Sequence, residues 1–425
     1  MPSANLRHGL QSRPVLVTFL LLLGLSLLNY IDRYLLPGTQ PLVQSEFHLS
    51  DQRLGALTTA LFVTYMLTAP LTGWLGDRWR RKPLIVTGAI LWSLATLFTF
   101  NVHSYGSLYV RHALVGVGEA TFGIFAPAVL SDFFPARERN RILTLFYLTI
   151  PVGAALGYLL GGQLGGHFGW RVPFVVGAIP GLALALAYAL VGVEPERGAS
   201  ESTPATPPDA RPLGRQIAAL LTNPAYMLAT LGMAMMVFTL GGISAWMPTF
   251  LYRFSGMSVA QAGTVLGGIT VIDGLAGTWI GGWLAERWLR SNPRALYLLS
   301  AWSVLLTLPL AALVFFGPHG WSLVALLAAE FCLFLNTGPL NAAVCNAVSA
   351  SVRSSALALN LFLIHMLGDT FSPQIIGAIS DRSNLRIGLG ATLLTLLVSA
   401  ALLFRGARHA PPLDGRQTAS SAARA

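Results

Sequence analysis

Four charged side chains lie inside the first and fourth of the long apolar segments, where charge is costly. Asp32 and Arg33 are adjacent in the first such segment, and Arg111 and Glu119 share the fourth. A charge at the centre of a bilayer costs about 2.5–3.5 kcal/mol, so these residues must face a partner or a cavity. Burial and a neighbouring arginine act on carboxylate protonation in opposite directions. The pattern therefore indicates a proton relay, in which Asp32 and Glu119 titrate beside Arg33 and Arg111. The alternative is a static ion pair that fixes helix packing.

The positions of these four charges along their segments predict two levels. Asp32 and Arg33 lie about 27 Å from the start of the first segment, at 1.5 Å per residue. Arg111 lies about 8 Å inside the fourth segment, which runs the other way, so these three residues are expected at one level. Glu119 is two turns further on, about 12 Å deeper and near the midplane. We expect a substrate to contact Arg33 and Arg111 near the outer end and Glu119 and Phe122 below them.

A second candidate site lies close to the C terminus. His365 and Asp369 are four residues apart in an apolar segment, so they share a helix face. A His–Asp pair inside a membrane is a candidate for proton transfer or substrate binding. Ordinary packing is the competing interpretation, and the spacing leaves both open.

Composition requires lipid as the solvent. Charged residues make up 10% of the chain and hydrophobic residues 54%, with a mean hydropathy of +0.62, whereas soluble domains carry about 25% charged residues. Most of the 27 Lys and Arg residues lie on alternate connections and on the two tails. Such a bias places both termini in the cytoplasm, so it predicts a multi-pass inner-membrane protein and argues against nucleic-acid binding.

Apolar segments of about 20 residues predict an all-α protein with twelve transmembrane helices. Polar residues rich in Pro, Ser and Thr separate two sets of six helices. We therefore predict an N-terminal six-helix bundle (1–193), a cytoplasmic linker (194–223), a C-terminal six-helix bundle (224–405) and a cytoplasmic tail (406–425). The predicted helices span residues 14–38, 54–75, 83–101, 106–131, 141–166, 170–193, 224–250, 261–285, 294–316, 321–349, 355–379 and 387–404.

The two sets are related by an internal repeat. Residues 73–79 (GWLGDRW) follow the second predicted helix, and residues 282–288 (GWLAERW) follow the eighth at an offset of 209. A parallel repeat implies pseudo-symmetric halves with a substrate site between them. Asp77 could accept from the N-terminus of a helix that begins near Ser354, and Arg78 and Arg81 could pair with carboxylates nearby. The predicted gating residues are Gly73, Asp77, Arg78, Arg81, Glu286 and Arg287; the alternative role for the arginines is to set topology.

Glycines at a spacing of four occupy the fifth predicted helix, at 153, 157, 161 and 165. Small residues on one face allow close helix packing. Gly263 and Gly267 of the eighth predicted helix offer a matching surface. The alternative is ordinary tight packing within one half.

The loop at 73–79 resembles the signature of the major facilitator superfamily, although Arg80 stands where that signature usually has glycine. Residues 29–34 (NYIDRY), 115–120 (VGVGEA), 150–153 (IPVG) and 365–369 (HMLGD) resemble the spinster-like lipid transporters more narrowly. The resemblance implies a major-facilitator fold over the whole chain. It also implies that the fifth and eighth helices meet across the halves. Its further implications are proton coupling through Asp32, Arg33 and Glu119, and a lysophospholipid or sphingoid cargo.

The expected function is proton-coupled secondary transport by rocker-switch alternating access, with an amphipathic lipid as substrate. Alternatives are transport of small organic anions such as sugar acids, or drug export. The chain has no clustered His and Cys ligands, no Gly-x-Ser-x-Gly elbow and no Walker loop, so we expect neither enzyme activity nor a metal or cofactor. The expected partners are the substrate, protons and the lipid bilayer, and the protein is expected to be a monomer.

Overall fold

The computed structural model describes residues 12–197, 199, 212–349 and 352–412, and nearly all of them are helical. In this part of the chain, twelve helical stretches are long and apolar enough to cross a membrane. The predicted all-α membrane fold is thereby confirmed. The helices are α1 (Arg13–Phe47), α2 (Asp51–Arg78), α3 (Arg81–Leu97), α4 (Tyr105–Phe133), α5 (Ala136–Tyr147), α6 (Thr149–Phe168), α7 (Val172–Val191), α8 (Leu213–Leu221), α9 (Pro224–Phe254), α10 (Val259–Leu289), α11 (Ala295–Phe316), α12 (His319–Phe334), α13 (Thr337–Asn346), α14 (Arg353–Ile364), α15 (Ser372–Arg382), α16 (Leu385–Gly390) and α17 (Thr392–Gly406).

Large apolar side chains cover much of the helix surface. Leu71, Leu190, Trp279 and Leu394 each expose well over half of their area. A soluble protein rarely exposes extended apolar patches. In lipid such side chains are favourable, and a helix satisfies its backbone hydrogen bonds within itself. The exposed surface therefore fits contact with hydrocarbon.

Several membrane spans predicted as single helices consist of two segments. The fifth span is α5 followed by α6, the tenth is α12 followed by α13, and the twelfth is α16 followed by α17. In the eleventh, α14 and α15 are separated by a π-helical turn at His365–Asp369. Single-turn π-bulges inside helices are frequent at functional sites.

Helix α1 is longer than predicted, and this changes the position of its charges. It extends to Phe47 through two internal prolines, Pro37 and Pro41. Membrane helices tolerate proline because neighbouring groups satisfy the backbone positions that it frees. Asp32 and Arg33 therefore lie just past the middle of a 35-residue helix, and not near its outer end.

The chain divides into two compact units. The first consists of Met1–Pro204 with Ser244–Val271, and the second of Ala205–Ile243 with Ile272–Ala425. The end of α9 and the start of α10 thus belong to the first unit. Helix α8 lies inside the predicted 194–223 linker. The predicted division into six-helix bundles and a tail remains a prediction.

The glycine stripe of α6 packs against α1. A Cβ on Gly157 would lie 2.6 Å from the carbonyl oxygen of Ile31, and one on Gly161 would lie 2.9 Å from that of Leu35. This packing is the alternative that the sequence left open. Helix α10 meets α6 beside the stripe, because a Cβ on Gly267 would lie 2.7 Å from the carbonyl oxygen of Ala155. The expected meeting of these helices is correct, but the stripe is not the surface that makes it.

We expect Gly267→Ala to destabilise the protein by about 1–3 kcal/mol, because the added methyl group must push the α6 backbone away. Thermal unfolding in detergent measures the change. Gly268→Ala is a matched control on the same helix, since a Cβ there meets no atom within 4 Å. Equal unfolding temperatures for the two variants would contradict the α6–α10 contact.

Candidate functional site

Arg33 and Glu119 form a buried ion pair between the middle of α1 and the middle of α4. Nη2 and Nε of Arg33 donate to Oε2 of Glu119 at 2.5 and 3.1 Å. The Glu119 side chain is fully buried, and that of Arg33 is 16% exposed. Oε1 of Glu119 has no hydrogen-bond partner within the described ranges. One carboxylate oxygen is therefore satisfied by the arginine, and the other could bind a proton or a ligand.

Aromatic rings surround the Arg33 guanidinium. Its carbon lies 5.2 Å from the ring centre of Tyr30, 5.3 Å from that of Phe62 and 5.6 Å from that of Tyr65. A cation within about 6 Å of an aromatic ring centre is attracted to the ring, more strongly where water is excluded. These rings hold the guanidinium in place and give the site an apolar lining.

Asp32 does not join this pair, because adjacent residues on a helix point about 100° apart. Its Oδ2 accepts a hydrogen bond from the Thr96 hydroxyl on α3 at 3.3 Å. On its other side the α7 backbone passes close by, since a Cβ on Gly177 would lie 2.7 Å from Oδ1 of Asp32. The side chain is 7% exposed. Near the middle of α1 the structure thus places two separate buried carboxylates, Glu119 paired with an arginine and Asp32 bonded to a threonine.

The predicted levels of the four charges are partly wrong. Arg33 was expected about 12 Å from the level of Glu119, but the two side chains are in direct contact, so Arg33 reaches the level of Glu119. Arg111 is near the start of α4. Its Nη1 is buried without a hydrogen-bond partner among the residues that the structure describes. Arg111 thus stays outside the Arg33–Glu119 pair, and its predicted roles in coupling and binding remain predictions.

His112 is a site residue that the sequence reasoning missed. It lines a small cavity together with Asp32 and Arg33, and it is 7% exposed. A signal was available, because His112 precedes Glu119 by seven residues, or nearly two full turns. Arg111 is offset from that face. Helical periodicity therefore places His112, and not Arg111, on the same face of α4 as Glu119.

Phe122 was predicted to contact substrate and is a core residue in this structure. Its ring is 2% exposed and packs edge-on against Trp92, with ring centres 5.4 Å apart. Phe146 lies on a further side at 6.3 Å. Phe122 therefore packs α4 against α3 and α5.

His365 and Asp369 form a contact within the second unit. Nδ1 of His365 lies 2.8 Å from Oδ1 of Asp369. The intervening Gly368 has non-helical angles (φ −101°, ψ −106°), which opens the π-helical turn. The spacing of four correctly predicted this pairing, while its role in binding or proton transfer remains a prediction. Asp273 in the same unit is fully buried, and neither carboxylate oxygen has a hydrogen-bond partner within the described part of the chain.

Residues 73–78 and 282–288 were predicted to follow the second and eighth helices, but they form the ends of α2 and α10. In the first unit, carboxylates hold the short connection from α2 to α3. Arg81 donates to Asp132 at 2.6 Å and lies 3.6 Å from Glu194. The Glu194 carboxylate also accepts from the backbone N–H groups of Arg81 and Lys82, at the N-terminus of α3. Arg197 donates to the carbonyl oxygens of Gly76 and Trp79. The predicted pairing of Arg81 with nearby carboxylates is thus confirmed, and Glu194 is a partner that the sequence reasoning did not identify.

The remaining predicted gating residues have other surroundings. Arg78 stacks on Trp74 at 4.2 Å, and Arg287 lies 5.9 Å from the ring centre of Trp283, so both copies of the repeat place the arginine beside the tryptophan. Glu286 is exposed and lies 3.3 Å from Arg290. Gly73 has open space where a Cβ would stand. The side chains of Asp77 and Ser354 lie outside the described part of the structure.

We expect Arg81→Gln to lower the initial rate of transport at least tenfold and to destabilise the protein by on the order of 3 kcal/mol, because it leaves buried carboxylates unpaired. Uptake and thermal unfolding measure the two effects. Arg80→Gln is the control, because the adjacent Arg80 side chain is 80% exposed and its 3.6 Å contact with Glu194 is a surface ion pair. Similar losses in both variants would show that loop charge, and not the carboxylate network, is what matters.

A second network lies at the other end of the first unit, where α1 ends and α2 begins. Nη1 and Nη2 of Arg253 on α9 donate to both carboxylate oxygens of Asp51, at 2.8 and 2.6 Å. Arg253 also donates to Gln44 at 2.6 Å, and Gln44 donates to Asp51 at 2.8 Å. A bidentate Arg–carboxylate contact is stronger and more directional than a single hydrogen bond. Sequence reasoning did not identify this network, because its members come from three different helices.

Comparisons with known proteins agree with this architecture. Residues 22–373 match the Major Facilitator Superfamily. Human protein spinster homolog 1 is 34% identical over 379 residues, which cover 84% of this chain and 71% of that protein. The Xenopus laevis protein of the same name is 33% identical over 397 residues, covering 89% and 75%.

Solved structures share the fold. An inward-facing, unoccupied crystal structure of a bacterial homolog to the human lysosomal transporter spinster has a TM-score of 0.83 at 22% identity, over 92% of this chain and 97% of that one. A D-xylose–proton symporter has a TM-score of 0.68 at 15% identity, over 91% and 97%. The predicted resemblance is confirmed: the chain belongs to the major facilitator superfamily and, within it, to the spinster family, and it is a multi-pass membrane transporter and not an enzyme.

Proposed function

We propose that this transporter is proton-coupled, works by rocker-switch alternating access, and moves an amphipathic lipid such as a lysophospholipid or a sphingoid. The observation that carries the proposal is the buried Arg33–Glu119 pair beside a separate buried carboxylate, Asp32. Two acidic groups in different surroundings can be protonated at different stages of a cycle. An ion pair that served only to pack two helices together would need one buried carboxylate, and not two.

Coupling follows from what a proton does to the pair. Protonation of Glu119 removes its negative charge, so the attraction that holds Arg33 weakens. Arg33 can then interact with an anionic or zwitterionic head group, while Tyr30, Phe62 and Tyr65 offer an apolar surface to the adjoining chain. The ligand and the proton thereby act on one arginine. The proton and the ligand can therefore each bind one conformation of the transporter more tightly than the other, which couples their movements.

The lipid cargo is supported mainly by the family relationship and by the aromatic surroundings of Arg33. The alternative is a proton-coupled carrier of small organic anions such as sugar acids, or a drug exporter. A D-xylose–proton symporter shares the fold, so proton coupling is compatible with this architecture whichever cargo is carried.

Topology and gating are part of the proposal. The distribution of Lys and Arg supports cytoplasmic termini and an inner-membrane location. On that topology the end of α2 at 73–79 and the repeated segment at the end of α10, 282–288, face the cytoplasm. We assign gating there to Gly73, Asp77, Arg78, Arg81, Glu286 and Arg287. The transporter would act as a monomer.

Uptake by proteoliposomes tests the substrate class. Purified protein is reconstituted with an imposed pH gradient and offered labelled lysophospholipid, a labelled sphingoid base, a hexuronate and a cationic dye. The proposal requires pH-driven movement of one of the two lipids and not of the other compounds. Movement of the hexuronate or the dye alone would favour the alternative, and lipid movement that is indifferent to pH would remove proton coupling.

A further inference from the structure

A small cavity lies next to the Arg33–Glu119 pair, inside the first unit. Its volume is about 20 Å³, which is enough for one water molecule. Helices α1, α2, α3, α4 and α7 and the turn after α3 all contribute to its wall. The lining residues are Asp32, Arg33, Leu36, Thr58, Leu61, Phe62, Thr96, Thr99, His112, Val115 and Phe174.

Two polar atoms on this wall are buried without a hydrogen bond. They are Oδ1 of Asp32 and the hydroxyl oxygen of Thr58, and neither has a partner among the residues that the structure describes. Buried polar groups that lack a protein partner are commonly satisfied by an ordered water. Both atoms belong to residues that line the same one-water cavity.

His112 supplies a third polar atom. Its Nδ1 lies 3.1 Å from the carbonyl oxygen of Leu108. A carbonyl oxygen only accepts, so Nδ1 must carry the hydrogen of the neutral ring. Nε2 is then an acceptor in the neutral form and a donor after protonation. Phe174 packs against the ring at 6.3 Å, which restricts its orientation.

We propose that one water in this cavity bridges Asp32, Thr58 and His112, and that His112 is a second proton-binding residue which exchanges a proton with Asp32 through that water. This inference rests on the proposed proton coupling. In the transfer, the carboxyl group of Asp32 gives its proton to the water, and the water gives one of its own protons to Nε2. One O–H bond breaks, one N–H bond forms, and the water is regenerated.

The charges around the cavity favour exchange over simultaneous protonation. Asp32 and Arg33 face it from α1, and His112 faces it from α4. Glu119 is neutralised by Arg33, and Arg111 is not on the wall. The wall residues from α2, α3 and α7 and from the turn after α3 carry no charge. Because the charge of Arg33 is already paired with that of Glu119, an imidazolium on His112 has a counter-charge on the wall when Asp32 is ionised. A proton on His112 is therefore stabilised when Asp32 has released its own.

Two variants of His112 test the proposal. His112→Gln keeps a hydrogen-bonding side chain that cannot titrate, and His112→Phe keeps an aromatic ring. We expect both to lower pH-driven accumulation of lysophospholipid or sphingoid at least tenfold while substrate exchange without a gradient changes less than threefold. Normal pH-driven accumulation in both would overturn the inference. Equal loss of accumulation and exchange would also overturn it, because it would mark His112 as structural.

Thr58→Val tests the water itself, since it removes one hydroxyl from the cavity. Thr72→Val is the matched control on α2, because the Thr72 hydroxyl donates only to carbonyl oxygens of its own helix. We expect a severalfold loss of pH-driven accumulation for Thr58→Val and none for Thr72→Val; equal effects would contradict the bridge. If the unmodified protein itself shows no dependence on the pH gradient, the proposed function fails instead, which separates the two failures.

Discussion

Glu119→Gln is expected to abolish substrate accumulation driven by a pH gradient while the protein remains folded. Glutamine has nearly the same shape as glutamate, but it cannot bind or release a proton. It also leaves the Arg33 guanidinium without a counter-charge in a site where Glu119 is fully buried. Accumulation in proteoliposomes measures coupling, and exchange without a gradient measures whether the substrate path survives.

Further variants separate coupling from packing. Arg33→Met alone should destabilise the protein by about 3–5 kcal/mol, because it leaves a buried carboxylate unpaired. Combining Arg33→Met with Glu119→Leu replaces both charges by apolar groups and should recover most of that stability. Transport should remain absent in the double variant. Recovery of pH-driven transport together with stability would show that the pair only fixes packing.

A matched control for Glu119 lies on α1. Glu46 also pairs with an arginine, Arg171 at 2.6 Å, but its side chain is 41% exposed near the end of the helix. Surface pairs of this type contribute about 0–1 kcal/mol. Glu46→Gln should therefore leave both stability and coupling close to normal. A large loss of coupling there would show that the assay responds to any lost ion pair.

The sequence was sufficient for the class of protein and for the number of spans, because burial in lipid imposes length and apolarity on every helix. It was also sufficient for contacts within a single helix. The His365–Asp369 pair follows from spacing alone. The sequence predicted that Arg81 pairs with carboxylates, but it did not identify which ones. Its partners Asp132 and Glu194 are 51 and 113 residues away along the chain.

The site geometry could not be derived from spacing. Asp32 and Arg33 are neighbours in sequence, yet they face different helices, and the partner of each depends on how α1 is rotated against its neighbours. The Arg33–Glu119 contact also depends on how α1 and α4 are shifted along each other, which a distance counted from each helix start does not give. The water-sized cavity results from five helices and a turn meeting, and no segment of the sequence shows it by itself.

The network around Arg253 gives the second large expected effect. Alternating access requires contacts that form in one state and break in the other. Asp51 and Arg253 come from the start of α2 and the end of α9, which are far apart in sequence and are joined here by two parallel hydrogen bonds. A contact of that type at one end of the spans is suited to hold a closed state.

We expect Asp51→Arg to reduce transport at least tenfold, because it places two guanidinium groups where one was bound. A tenfold change corresponds to about 1.4 kcal/mol, which a bidentate pair that is 8% and 26% exposed can supply. Arg253→Asp alone should be similarly impaired, since it places two carboxylates together. The double reversal should restore at least a third of normal transport, because the opposite charges meet again.

Arg53→Asp, a charge reversal two residues from Asp51 on the exposed side of α2, should have little effect. If the double reversal is no better than either single variant, Asp51 and Arg253 do not act as a pair during transport.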